Sequence, residues 1–267
     1  MLDTSRFRDA DRYASYLKTP AGRLRSELAW ENLRCCLPRA AAMRRALDLG
    51  GGTGFAAVRL AQMGFEVVLL DSSKEMLRIA RQETEPSASI GCVSFLHADA
   101  ARLPELFEDA AFDVVVCHNL LEYVADPFKT VCDIARVLRS GGLISALARN
   151  RAGEVLRAAI KEDWKLAQAN LSAETVVDSL FGQPVRVFSP AQVRDMMVCS
   201  GLEVIAERGV RVFSDYVGVE GPSGESYDQV LDLELALGAR PEFAAIARYS
   251  QWIAVSAKEP SREDAAL

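Results

Sequence analysis

The stretch RALDLGGGTGFAAVRLAQMG (residues 45–64) places four glycines within five positions, between an apolar run and a segment with helical spacing. A strand that enters a helix through such a loop brings backbone N–H groups to a ligand at the helix N-terminus. It also commits the chain to a strand–helix unit, and the next hundred residues repeat that unit. FEVVLLD reads as a second strand and SSKEMLRIARQ as a helix capped by Ser72 or Ser73. VSFLHAD is a third strand. FDVVVCHN is a fourth, and its unbroken valines predict burial on both faces. DPFKTVCDIARVLRSGG is a helix with Asp126 as N-cap, Pro127 at its first position and Gly141 as C-cap; LISALARN is a fifth strand. This alternation predicts an α/β fold with a mostly parallel, doubly wound, Rossmann-like sheet. Ligands of such sheets lie at the carboxyl ends of the strands. That puts Asp48, Asp71, Asp99 and His118 on one rim.

Residues 1–46 read as an N-terminal helical segment, with Pro38 ending the helix that contains GRLRSELAWENLRCCL. Residues 47–150 form the predicted core. Residues 151–188 break the alternation: EVLRAAIKEDWKLAQANLS is helical and VVDSLFGQPVRVFSP is an extended connection. This segment is expected to be a cap over the ligand crevice. Residues 189–258 complete the sheet, with a helix from Ser189, a strand LEVIAERGVRVFSDY, a helix YDQVLDLELALGA and a last strand YSQWIAVSAK, giving seven strands. Residues 259–267 read as a disordered tail.

The 267 residues are half apolar and a quarter charged, the balance of an ordinary globular protein. No apolar run reaches the ~18 residues of a membrane span, and the charged start MLDTSRFRDADRY lacks a secretory apolar core. A cytoplasmic location without a membrane partner is expected. The six cysteines are scattered and form no C-x-x-C pair; Cys92 and Cys117 sit in strand-like contexts. They read as reduced structural thiols, and with only His97 and His118 no metal site is expected. Net charge is −6, yet residues 1–46 carry ten Lys/Arg against five Asp/Glu. That basic segment either meets an anionic ligand or is a solvated face balancing the acidic body.

The glycines fit two registers. Gly52-Thr53-Gly54-Phe55-Ala56-Ala57 matches G-x-G-x-x-A, a dinucleotide pyrophosphate loop, which would make the protein a nicotinamide oxidoreductase. Asp48-Leu49-Gly50-Gly51-Gly52-Thr53-Gly54 matches acid-x-G-x-G-x-G, the S-adenosylmethionine loop of methyltransferases. A carboxylate at Asp48 works against an anionic pyrophosphate and suits a ligand carrying an ammonium and a sulfonium. Asp71 ends the second strand where ribose hydroxyls would lie, with Ser72 beside it. Asp99 follows the third strand and can accept from an adenine amino group, with the N–H of Ala100 facing a ring nitrogen. None of the six tyrosines has the Tyr-x-x-x-Lys spacing of a short-chain oxidoreductase.

The ordered set resembles class I S-adenosylmethionine-dependent methyltransferases, and within them the tRNA uridine-5-oxyacetic-acid methyltransferases of the CmoM/SmtA type. The resemblance rests on TPAGRLRSELAW (19–30), the glycine loop, LLEYVADP (120–127), RNRAG (149–153), GVRVFSDY (209–216) and LDLELAL followed by ARYSQWIAVSAK. It implies S-adenosylmethionine as cofactor and S-adenosylhomocysteine as product. It places Arg25 at the cofactor carboxylate, Gly51 and Gly52 along the methionine moiety, Asp71 at the ribose, Asp99 and Ala100 at the adenine, and His118 beside the cofactor. One stretch departs from the family. The segment LSAETVVDSLFGQPVRVFSP carries only Arg186 as a cation where the family has a basic run suited to RNA. The acceptor is therefore either a tRNA nucleoside or a small molecule, methylated on a carboxylate or hydroxyl oxygen, with N- or C-methylation as the alternative. A catalytically silent cofactor-binding protein is the remaining reading.

On the acceptor side, Arg211 and Tyr216 of GVRVFSDY are the candidate positioning residues, with Arg149 and Arg186 as further cations and Asn150 as a polar positioner. His118 is the only histidine near the crevice and thus the candidate base for a protonated nucleophile.

Overall fold

A computed structural model of the chain describes residues 10–37, 45–84, 93–217 and 225–257. Its centre is a seven-stranded sheet. In chain order the strands are β1 (Arg45–Leu49), β2 (Glu66–Asp71), β3 (Val93–His97), β4 (Phe112–His118), β5 (Leu138–Arg149), β8 (Leu202–Val210) and β9 (Tyr249–Ser256). Their spatial order is β3-β2-β1-β4-β5-β9-β8. The pairs from β3 to β5 are parallel, and β9 runs antiparallel to both β5 and β8. The chain winds outward from β1 to β3, then returns to place β4 on the other side of β1. The loops after β1 and β4 therefore meet at the switch point, where a doubly wound sheet opens a crevice.

Alternate side chains of the central strands supply two cores. Leu47, Leu49, Val115, Cys117, Ile144 and Trp252 pack on one face with Ile134 and Val193. Ala46, Val67, Leu69, Val114, Val116 and Ile253 pack on the other with Leu33, Leu60 and Leu77. Helices cover both faces, so the strands are apolar throughout. The helices on that second core include α2 (Pro20–Arg34), α3 (Phe55–Gln62) and α4 (Lys74–Thr84); α6 (Pro127–Val137) and α9 (Pro190–Cys199) lie on the first. The caps follow the sequence: Ser73 Oγ accepts from Met76 N, Asp126 from Lys129 N, and Ser189 forms a capping box with Gln192.

Several boundaries differ from the sequence reading. The helix after Asp126 ends at Val137, and Leu138 already pairs with Phe112 in extended form. Gly141 is not its C-cap. With φ +69° it turns the chain inside β5, where the register jumps between Leu138 and Leu143. The helix expected to run to Pro38 stops at Arg34, and Pro38 lies outside the described residues, as do Cys92 and residues 259–267.

Residues 151–188 hold two helices, α7 (Arg151–Ile160) and α8 (Trp164–Asn170). The expected extended connection is an antiparallel hairpin of β6 (Thr175–Val177) and β7 (Pro184–Arg186). Asp178 closes its turn by accepting from Leu180 N and Phe181 N, and Gly182 supplies a φ of +67°. The strand expected to reach Tyr216 ends at Val210, because Arg211 adopts φ +61°. α10 (Glu225–Gly238) matches the late helix, and the short α11 (Pro241–Ala244) precedes β9. α1 (Ala10–Lys18) lies against α2 and α4 and closes the crevice from the N-terminal side. Among the described residues no helix is long and apolar enough to cross a membrane.

Candidate functional site

The glycine loop is built to pass close to its neighbours. Gly50 and Gly52 have φ of +68° and +54°, a region that favours glycine. A Cβ on Gly51 would meet the Asp48 carboxylate at 2.7 Å, whereas one on Gly52 would project into open space with Tyr13 its nearest neighbour at 3.7 Å. The loop is tied to the end of β2: Gly50 N donates to Leu70 O at 2.7 Å, and Gly52 N to Asp71 Oδ2 at 2.9 Å. Asp48 Oδ2 accepts from Ala57 N at 3.1 Å in the first turn of α3. Burial pushes the Asp48 carboxyl up to about 7, the Ala57 N–H opposes this, and the charge of Asp71 adds to it. Asp71 is also raised, chiefly by burial, against the N–H groups of Ser73 and Gly52. Two buried acids beside the loop favour a cationic ligand group there.

A cleft with two lobes opens above the loop. The larger has about 1160 Å³ of empty space and the smaller about 510 Å³. Tyr13, Arg25, Gly50, Gly52, His118 and Asn119 line both. Asp48, Gly51 and Thr53 belong to the smaller lobe, Asp71, Ser72 and Met76 to the larger. Arg25 stands at the junction. Its side chain is buried, Nη2 donates to Tyr13 OH at 2.9 Å, and among the described residues no carboxylate pairs with it. A buried guanidinium without an anion is a seat for one.

His118 is held by a relay. Asn32 Nδ2 donates to Gln251 Oε1 at 2.9 Å, and Gln251 Nε2 donates to Ser145 Oγ at 2.9 Å. The Ser145 hydroxyl lies 2.8 Å from His118 Nε2 and accepts from it or donates to it according to the imidazole tautomer. Burial, with the charge of Arg25, lowers the imidazole to about 3. His118 is thus a neutral imidazole on the cavity wall, with its Nε2 engaged by Ser145.

The far end of the larger lobe was less legible in the sequence. Tyr249, on β9, is surrounded by guanidiniums: Arg25, Arg149 and Arg248 lie 5.7, 5.6 and 5.9 Å from its ring centre. Burial alone would raise its phenol, but Arg149, Arg248, Arg25 and Arg211 outweigh this and pull it down to about 7. Arg149 pairs with Glu154 at 3.0 Å and Asp178 at 2.7 Å, and Arg248 reaches Glu154 at 3.3 Å. Arg211 pairs with Asp215 and donates to Tyr16 OH at 3.0 Å. The left-handed turn at Arg211 is fixed by Glu234, a fully buried residue of α10 whose carboxylate collects the N–H groups of Val212, Phe213 and Ser214.

The expected site residues divide accordingly. Arg25, Asp48, Gly50, Gly51, Gly52, Asp71, Ser72, His118, Arg149 and Arg211 come together around the cleft. Gly54 N-caps α3 with φ +83° and packs toward Leu69 and Ala80, away from both lobes. Asp99 caps a short 3-10 turn by accepting from Ala101 N, and neither it nor Ala100 lines the cleft. Tyr216 lies outside the lining, its hydroxyl buried and unpartnered. Arg186 bonds the carbonyls of Val124 and Ala125, and Asn150 those of Ala245 and Ala247, so both hold loops together. The residues the sequence reading missed are Tyr249, Arg248, Glu154, Arg157, Asp178 and Glu234. Density of opposite charge in RNRAGEVLR was the available signal for Glu154 and Arg157; nothing local marks Asp178, which arrives through the hairpin turn. Among the described residues no group of three or more His, Cys, Asp or Glu side chains is arranged to hold a metal ion.

Comparison with known proteins agrees with this architecture. Residues 47–146 match a family described as a methyltransferase domain. Over 247 residues the chain is 29% identical to tRNA 5-carboxymethoxyuridine methyltransferase of Escherichia coli K12, covering 92% of each chain. It is 41% identical over 100 residues to demethylmenaquinone methyltransferase of Clavibacter sepedonicus, covering 38% of this chain and 39% of that one. A solved S-adenosylmethionine-dependent methyltransferase from Thermotoga maritima superposes with a TM-score of 0.63 at 20% identity, covering 95% of this chain and 99% of the other. The [4+2]-cyclase SpnF shares the fold at a TM-score of 0.55 and 19% identity, covering 86% and 80%. Fold alone thus does not fix a reaction; the sequence matches add that information. The chain carries a methyltransferase domain over residues 47–146 within a Rossmann-like sheet. Its similarity to the tRNA 5-carboxymethoxyuridine enzyme extends well beyond that domain, over 92% of the chain.

Proposed function

We propose that this protein transfers a methyl group to a carboxylate oxygen of its acceptor, and that the acceptor is a modified uridine of tRNA. The observation that carries the reading is the buried arginine basin around Tyr249, which adjoins the glycine loop and matches an anionic acceptor. The tRNA assignment draws on the carboxymethoxyuridine enzyme similar to this chain over 92% of its length.

The cleft residues fit S-adenosylmethionine. Arg25 takes its carboxylate, Asp48 its ammonium side, Gly51 and Gly52 the methionine chain, and Asp71 with Ser72 the ribose. Asp99 and Ala100 remain candidates for the adenine through the turn they form. When bound, the cofactor supplies an electrophilic sulfonium methyl. The protein contributes alignment in a water-poor cleft, which is a large part of catalysis for an in-line displacement. A carboxylate nucleophile carries its own negative charge, so no side chain has to remove a proton. That agrees with a neutral His118 and with Tyr249 as part of the acceptor wall. Arg211 holds Tyr16 and Asp215 at that wall, and Tyr216 supports it from behind, near Arg248 and Glu154.

A second reading, a small-molecule carboxylate as acceptor, is favoured by the net charge of −6 and by the single cation of the 171–190 segment. Incubation with methyl-labelled cofactor against tRNA carrying 5-carboxymethoxyuridine, and separately against a metabolite extract, decides between them. Label in the RNA is the expected result. Label confined to metabolites moves the assignment to the second reading, and label in neither contradicts both.

A further inference from the structure

The acceptor end of the cleft gathers four arginines around carboxylates that they share. Arg149, Arg157, Arg211 and Arg248 all line it. Their partners are three: Glu154, Asp178 and Asp215. Glu154 alone faces three of the guanidiniums. Glu122 also lines the wall, but its Oε1 faces Asn119 Nδ2 and the backbone N–H of Arg149 rather than a guanidinium. Arg25 adds a fifth guanidinium at the junction of the lobes.

The four cations are not equally free. Arg149 is engaged by Glu154 and Asp178, and Arg211 by Asp215 and Tyr16. Arg248 is sealed: its unpartnered Nε and Nη1 have essentially no accessible surface. Arg157 differs. Its side chain is 28% exposed, its contact with Glu154 is loose at 3.7 Å, and among the described residues its guanidinium makes no hydrogen bond. It projects from α7, inside the segment expected to cap the crevice. Burial and the neighbouring Arg248 lower its affinity for its proton, the direction expected for a cation crowded by like charge.

We propose that Arg157 is the specificity-determining residue that selects a carboxylate-bearing acceptor: it is the most loosely held guanidinium at the acceptor wall, its one carboxylate contact being 3.7 Å from a Glu154 that Arg149 and Arg248 share. This rests on the carboxylate reading above. Arg149 and Arg248 shape the basin and hold Glu154; Arg157 closes on the acceptor as a two-pronged donor. A neutral acceptor leaves it unpaired and is bound less well.

The test uses the full chain saturated with S-adenosylhomocysteine and two probes, the nucleoside 5-carboxymethoxyuridine and its neutral carboxamide, with binding measured by calorimetry. The wild type is expected to prefer the acid by at least about tenfold. Arg157→Gln is expected to lose that preference while its S-adenosylhomocysteine affinity stays within about twofold, and Arg157→Lys to recover part of it. The cofactor measurement reports folding of each variant. Retention of the wild-type preference in Arg157→Gln overturns the assignment to Arg157 and leaves the carboxylate reading standing. Absence of any preference in the wild type overturns both. An Arg157→Gln chain that fails to bind S-adenosylhomocysteine shows that Arg157 serves the fold, and overturns the assignment as well.

Discussion

The Arg25 guanidinium lies 5.7 Å from the centre of the Tyr249 ring, which joins the two lobes of the cleft through one cation and one phenol. Arg25 faces the glycine loop on one side and the arginine basin on the other. Tyr249 can become an internal anion of that basin near neutral pH, since its phenol is pulled down to about 7. Below that pH the basin is open to an acceptor carboxylate. Above it the phenolate competes for the same guanidiniums. The acceptor KM is therefore expected to rise above pH 7 in the wild type and to stay flat in Tyr249→Phe, measured from pH 6 to 9. Stability of the free protein runs the other way. Between about 7 and the ordinary phenol value near 10 the unfolded chain holds a proton that the folded chain has lost, so Tyr249 contributes stability that grows across this window and is lost as pH falls through about 7. Denaturation midpoints of the wild type and Tyr249→Phe, compared at pH 6 and pH 9, check the sign.

Asp48 behaves in the opposite sense. Its carboxyl is raised by burial to about 7, well above the ordinary value near 4. From pH 4 to 7 the folded protein keeps a proton that the unfolded chain releases, so Asp48 lowers the stability of the free protein as pH rises through this window. Asp48→Asn is expected to unfold at higher temperature than the wild type at pH 8. It is also expected to bind S-adenosylhomocysteine at least tenfold more weakly, because the carboxylate facing the ammonium is gone. Thermal scans with and without ligand read both effects.

Much of the fold was legible because the central strands leave no alternative. FDVVVCHN cannot be a surface element, and DLGGGTG cannot be a helix, so β4, the loop and its placement at the switch point follow from local pattern. The hairpin β6–β7 was missed because its signal is a turn chemistry, Asp178 and Gly182, set in a segment without clear alternation. Gly141 was misplaced because a glycine after a helical pattern reads as a cap, while tertiary pairing of Leu138 with Phe112 ended the helix a turn earlier. Around the cleft, Asp48, Asp71 and His118 were legible because each sits in or at the end of a strand that meets the switch point. At the far end of the larger lobe Arg149 and Arg211 were legible as cations, but Arg157, Asp178 and Tyr249 were not, because they converge from separate parts of the chain. Their pairing partners are fixed by packing rather than spacing.

Glu234 is the clearest case of a residue that acts through another. Its carboxylate accepts three consecutive backbone N–H groups and so holds the left-handed turn that aims Arg211. Glu234→Ala leaves those donors buried and unpaired. It is expected to cost about 2–4 kcal/mol in a urea denaturation experiment and to raise the acceptor KM, with S-adenosylhomocysteine affinity little changed.

The central claim, that the methyl group goes to a carboxylate, has a direct chemical signature. Transfer to a carboxylate makes a methyl ester, which mild alkali cleaves to methanol; methyl groups on ring nitrogen, carbon or an ether oxygen survive. After incubation of the protein with methyl-labelled S-adenosylmethionine and tRNA carrying 5-carboxymethoxyuridine, brief alkaline treatment is predicted to release the label as volatile methanol. Label that stays on the nucleoside through that treatment would contradict the account.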